Sequence, residues 1–263
     1  MTRGQAQVPI WGRPEPGTRR PRFSRDQIAA VAMDIADREG FEAVTMRRVA
    51  TELDAGTMSL YHYVRSKDDL VALMDDALMG EALVPPAELP SEWRDALAAV
   101  ARSTRTALIA HPWALSALQS AQLGPNAMRH FEQSLAAVAT TGLDTAAKFA
   151  LLGVVDDYVF GNVLHSSEAT NRRQAAEASP EAVSAGIEFG LAQLRTGEYP
   201  HTSALLGDGD PRSRIEEAPG PAMDGESLHQ QFEQGLQAVL DGVTLRMGIA
   251  NKPRIRRGRA SSA

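Results

Sequence analysis

Cysteine is absent from all 263 residues, which excludes a disulfide scaffold, thiolate metal sites and a cysteine nucleophile. No run of apolar residues is long enough to span a bilayer, and Met1 does not open a charged and then apolar leader. The expectation is therefore a cytoplasmic chain with no membrane partner. Alternation of apolar and polar residues is missing too, so no strand is predicted and the fold class is all-α. The sequence lacks the phosphate-cradling glycine patterns, the Gly-x-Ser-x-Gly elbow and the His-Glu-x-x-His zinc motif. Its 6 histidines are scattered, and Asp75-Asp76 and Asp156-Asp157 are adjacent pairs that leave a helix on different faces. No catalytic role, metal or cofactor is expected.

Charge is present but segregated. The net charge is −6, yet residues 1–22 carry Arg3, Arg13, Arg19, Arg20 and Arg22 against Glu15 alone, and the last eighteen carry Arg246, Lys252, Arg254, Arg256, Arg257 and Arg259 with no acid. The body from 68 to 245 holds 10 basic and 25 acidic residues. Two basic ends on an acidic body suggest a nucleic-acid-facing end, although basic tails also simply aid solubility. Residues 1–22, rich in Pro, Gly and Arg, read as a disordered basic arm, and residues 250–263 as a disordered basic tail.

Between them the helix signals are well marked. Ser24 and Gln27 form a capping box, Phe23 and Ile28 a hydrophobic staple, and Ile28, Val31, Ala32, Ile35 and Ala36 one buried face, with Gly40 closing a helix over 25–39. Thr45 caps a second helix, Asp54-Ala55-Gly56 makes a short turn, Thr57 caps a third helix through Tyr63, and Ser66 with Asp69 opens a fourth. Two short helices joined by a three-residue turn define a helix-turn-helix unit over 23–67. Further helices are predicted over 91–110, 125–140, 144–166, 180–194 and 227–247, and the Gly/Pro/Asp-rich stretch 196–226 reads as a long mobile loop.

Thr45-Met46-Arg47-Arg48-Val49-Ala50, followed by the run from Met58-Ser59-Leu60-Tyr61-His62-Tyr63-Val64 through Lys67 to Leu70, resembles the DNA-binding region of the tetracycline-repressor family. Phe232 to Leu236 and Asp156 to Gly161 are similar to its dimer-forming helices. The resemblance implies a homodimeric repressor of palindromic double-stranded DNA, released by a small-molecule effector held in a helical domain over 68–249. Asp54 stands where the family commonly has glycine, and aspartate tolerates the left-handed backbone that such a turn needs.

In a helix-turn-helix, side chains near the start of the reading helix touch bases while flanking groups hold phosphates. Thr57, Met58, Ser59, Tyr61 and His62 are thus the reading candidates, with Met58 suited to a thymine methyl. Tyr61 and Lys67 match family phosphate contacts, Arg47 matches a family arginine, and Arg20 and Arg22 are placed to enter the minor groove. Tyr63 reads more readily as packed core. Because 23–67 holds 6 basic and 7 acidic residues, affinity must come from a few well-placed cations.

Two apolar stripes suit self-association. One carries Phe232, Gly235, Leu236, Val239, Gly242 and Val243, the other Phe149, Gly153, Phe160 and Gly161, and their small residues allow close approach of a partner helix. The same stripes also fit an intramolecular core. Trp113, Met128, Phe131 and Tyr158, with Asn162 and His165 as polar anchors, are the candidates for an effector pocket, though they equally suit plain packing. Two rivals stand beside this reading: a helical enzyme acting on a small molecule, and a DNA-binding regulator worked by a protein partner docking on the acidic stretch around Asp208, Asp210, Glu216 and Glu217.

Overall fold

The computed structural model describes residues 8–15, 23–117, 123–207, 209–217 and 225–250. Among these every regular element is a helix: α1 (Arg25–Glu39), α2 (Met46–Glu52), α3 (Thr57–Tyr61), α4 (Lys67–Glu81), α5 (Trp93–Ala110), α6 (Ala114–Ala117), α7 (Pro125–Ala137), α8 (Thr145–Ala178), α9 (Pro180–Arg195), α10 (Pro200–Leu206), α11 (Pro211–Glu217) and α12 (Gly225–Met247). None of them is long and apolar enough to cross a membrane. The chain divides into two units, Met1–Phe160 with Leu236–Ala263, and Gly161–Gly235.

The first unit begins with three helices and a long fourth. Ser24 Oγ accepts from Gln27 N–H (3.2 Å) while Gln27 Oε1 accepts from Ser24 N–H (2.9 Å), so α1 starts in a complete capping box. Gly40 ends it at φ 87°. Ile28, Ala32, Ile35 and Ala36 are buried beneath α4, whose Leu70, Leu73, Met74 and Leu78 are buried in turn. At roughly 1.5–3 kcal/mol for each fully buried large aliphatic side chain, this seam is the principal stabiliser of the N-terminal domain. Phe23 and Tyr63, with ring centroids 4.7 Å apart, close its lower end.

Three expectations are corrected here. Residues 8–15 are not part of a disordered arm: they form a strap with one 3₁₀ turn at Ile10–Gly12, Ile10 is fully buried, and Arg13 pairs with Asp69 while its carbonyl accepts from Arg25 (3.0 Å). Two large apolar residues are enough to anchor so short a segment, and no periodicity announces them. The stretch 196–226 is not one loop, since α10 and α11 each open on a proline at the first turn, where the missing N–H costs nothing. Finally, α8 runs to Ala178 because the polar segment beyond Ser166 is built of good helix formers up to Pro180. Arg20, Arg22, Asp208 and the tail from 251 lie outside the described residues.

Candidate nucleic-acid interface

The turn between α2 and α3 forms with aspartate at position 54. Asp54 adopts φ 49°, the one positive φ outside glycine among the described residues, and Ala55 N–H returns to Ala50 O (2.9 Å). Helix α3 is then only Thr57–Tyr61, and its N-cap is Gly56, so Thr57 does not cap as expected. Its hydroxyl is thereby left for other use. Leu60 and Val64 are fully buried and pin the helix to the core, which turns the remaining side chains outward.

Met58 is 75% exposed. Tyr61 and His62 are exposed beside it, Thr57 and Ser59 are half-buried, and Tyr63 belongs to the core. The two arginines of α2 differ sharply. Arg48 is committed to Glu39 (2.7 Å) and Glu52, hydrogen bonds that hold its guanidinium more firmly charged than usual. Arg47 is exposed and has no side-chain partner among the described residues. Lys67, at the start of α4, lies 5.1 Å over the Phe41 ring, and Arg65 is exposed next to it. The face thus offers Arg47, Arg65 and Lys67 around a short helix carrying one apolar and several hydroxyl groups, which is chemistry for phosphates and base edges.

Asp69 shows how the strap meets this face. Its carboxylate accepts from Arg65 N–H (2.9 Å) and pairs with Arg13, and a cavity of about 340 Å³ opens between Val8, Gly12, Arg13, Pro14, Arg65 and Ser66. The strap also reaches the start of α7. A Cβ on Gly124 would meet the Asp76 carboxylate and come within 2.8 Å of Trp11 Cε2, so only glycine allows this approach. Asp76 accepts from the Asn126 and Ala127 N–H groups at 2.8 and 3.0 Å. Its neighbour Asp75 is 3% exposed, neither of its oxygens has a donor among the described residues, and burial pushes its pKa up to about 6.

The proposed effector residues have different surroundings. Trp113 is buried against Phe41 and Asp37, Met128 is 48% exposed, Phe131 meets Phe149 at 5.8 Å between centroids, and Tyr158 is half-buried. Asn162 and His165 belong to the other unit. A count of aromatics cannot tell which face of each helix the neighbours will occupy. The association stripes divide as well. Phe149, Gly153, Phe160, Gly161 and Gly242 are exposed, Gly235 and Val239 half-buried, but Phe232, Leu236 and Val243 are buried within the single chain, where a second copy has no surface to reach.

The fold and this face define a helix-turn-helix DNA-binding protein carrying a separate helical domain. Residues 28–74 match the family model described as bacterial regulatory proteins, tetR family, and residues 85–247 match the tetracyclin repressor-like C-terminal domain. The chain belongs to the tetracycline-repressor family and is a DNA-binding transcriptional regulator. It is similar to an HTH-type transcriptional regulator of Saccharopolyspora erythraea (34% identity, 91% of this chain and 93% of that one). It is also similar to the HTH-type transcriptional repressor DrrR1 of Streptomyces coeruleorubidus (35% identity, 88% and 80%). Among solved structures, apo ActR of Streptomyces coelicolor shares the fold with a TM-score of 0.63 at 24% identity, covering 88% of this chain and 99% of ActR. The structure of ActR in complex with actinorhodin gives 0.62 at 25%, covering 87% and 98%.

Proposed function

We propose that the protein is a homodimeric, cytoplasmic, non-enzymatic repressor that holds a palindromic operator and leaves it when a small apolar effector binds the C-terminal domain. The observation that carries the reading is the α2–α3 face: a fully buried anchor, Leu60, beneath an exposed Met58 and an exposed Arg47 that has no side-chain partner among the described residues. Arg47, Thr57, Met58, Ser59, Tyr61 and His62 read base edges in the major groove, while Lys67 takes a phosphate. Arg20 and Arg22 add contacts from the arm. DrrR1 is named a repressor and ActR has been solved with actinorhodin, which supports a small-molecule trigger here. The exposed Phe149 and the open surface at Gly153 on α8 support a second copy as the other partner.

Selection of duplexes from a random DNA pool at about 0.15 M salt tests the reading, because unspecific phosphate binding is suppressed there. Enrichment of an inverted repeat with half-sites about one helical turn apart is the expected result. A pool that stays unenriched contradicts it.

A further inference from the structure

The turn between α5 and α6 grips the N-terminal domain through one histidine. His111 is 9% exposed and stands between two carboxylates from two other helices. Its Nδ1 lies 2.9 and 3.0 Å from the Asp37 oxygens on α1, and its Nε2 lies 2.9 Å from Glu81 Oε2 at the end of α4. A carboxylate only accepts, so both ring nitrogens donate and the ring is an imidazolium. Trp113 adds a third tie: its Nε1–H donates to Asp37 Oδ1 at 2.7 Å, and its ring stacks on Phe41 (6.3 Å, 9° between planes). Phe41 in turn lies under Lys67 at the DNA face. The carboxylates occupy opposite sides of the ring and converge on no common point, so this is not a metal cradle.

We infer that His111 is a proton-operated clasp: with the ring charged it ties α1 and the end of α4 to the α5–α6 turn and fixes the reading helices, and with the proton lost the tie to one carboxylate fails and the reading helices loosen. His111, Asp37 and Trp113 are positioning residues, and the proton is an input to DNA binding separate from any effector. The charges acting on the ring are Asp37 from α1 and Glu81 from α4; Trp113 and Phe41 beside it are neutral. Burial alone disfavours the charged ring, but the two carboxylates outweigh it and hold its pKa above the usual 6.5. The stabilisation is therefore complete below the unfolded-state value and is lost as the pH rises through the raised one. A reading head held in one orientation pays less ordering cost on binding, so DNA affinity falls with the clasp.

The test compares the full chain with H111Q, whose side chain is uncharged at every pH, by thermal melting and by affinity for a duplex selected from the random pool. At about pH 6 the wild type should melt some 2–4 °C above H111Q, a gap that closes by about pH 9. Wild-type affinity should drop several-fold over that range while H111Q stays comparatively flat. Any contribution of His62 at the DNA face is present in both proteins and cancels. D37N, which keeps the imidazole and the shape of the site, should itself melt below the wild type at about pH 6 by a margin that shrinks towards pH 9, and this comparison carries the test should H111Q fail to fold. A gap independent of pH, or identical pH profiles of DNA affinity, overturns the clasp. An unenriched pool refutes operator recognition instead, and the melting gap still decides whether the ring ties α1 and α4 to the α5–α6 turn.

Discussion

At the scale of single residues, local chemistry settles what position alone leaves open. Arg47 and Arg48 are neighbours, yet Glu39 and Glu52 occupy Arg48 while Arg47 stays exposed, which is why it is the proposed DNA contact. Replacing Arg47 by Ala should weaken binding to the selected duplex roughly 10- to 100-fold and relax the preference at one base position, as competition assays would show. Replacing Arg48 should cost stability rather than selectivity. Asp54 at φ 49° makes a second prediction: Asp54→Gly should melt at or slightly above the wild-type temperature, and Asp54→Val should lose about 1–2 kcal/mol, since a β-branched residue is strained there. Asp75 makes a third. Because burial without a donor raises its pKa to about 6, the folded state favours the proton, and the penalty appears as the pH rises from about 4 through 6. Asp75→Asn should therefore raise stability by up to about 2–3 kcal/mol at pH 7.5 and change it little at pH 4, as denaturant melts at the two pH values would show.

At the scale of elements, capping and periodicity carried the N-terminal domain. The box at Ser24 and Gln27, the closing Gly40 and the stripe of Ile28, Ala32 and Ile35 place α1 to the residue, and the turn at Asp54 was legible as well. Elements without a stripe were not: the polar half of α8, the short α10 and α11, and the strap held by Ile10 and Trp11 give no periodic signal. The family was legible because residues 45–70 match a motif, whereas the His111 cluster joins positions 37, 81 and 111, whose proximity exists only after folding. The strap and the arginines beyond it should separate by mutation. Ile10→Ala should cost about 2–4 kcal/mol of stability without altering the salt slope of DNA binding. Replacing Arg19, Arg20 and Arg22 together by Ala should leave melting unchanged and flatten that slope by roughly one for each phosphate no longer neutralised.

At the scale of the whole molecule, α4 links the helix-turn-helix to the helices that follow it, packing on α1 and on α5 and α7. Two reading heads are needed to span a palindrome, and α8 leaves the large apolar residues Phe149, Val154, Phe160 and Leu164 exposed, the surface proposed for pairing. Among the described residues nothing lies within 4 Å of a Cβ placed at Gly153, so a single chain has room for a side chain there. Gly153→Arg should thus fold normally while disrupting association. The most direct measurement is sedimentation of the protein with its selected duplex at micromolar concentration. Two chains per duplex, reduced to weak single-chain binding in Gly153→Arg, is the predicted result; one chain bound tightly to a lone half-site, unchanged by the substitution, would contradict it.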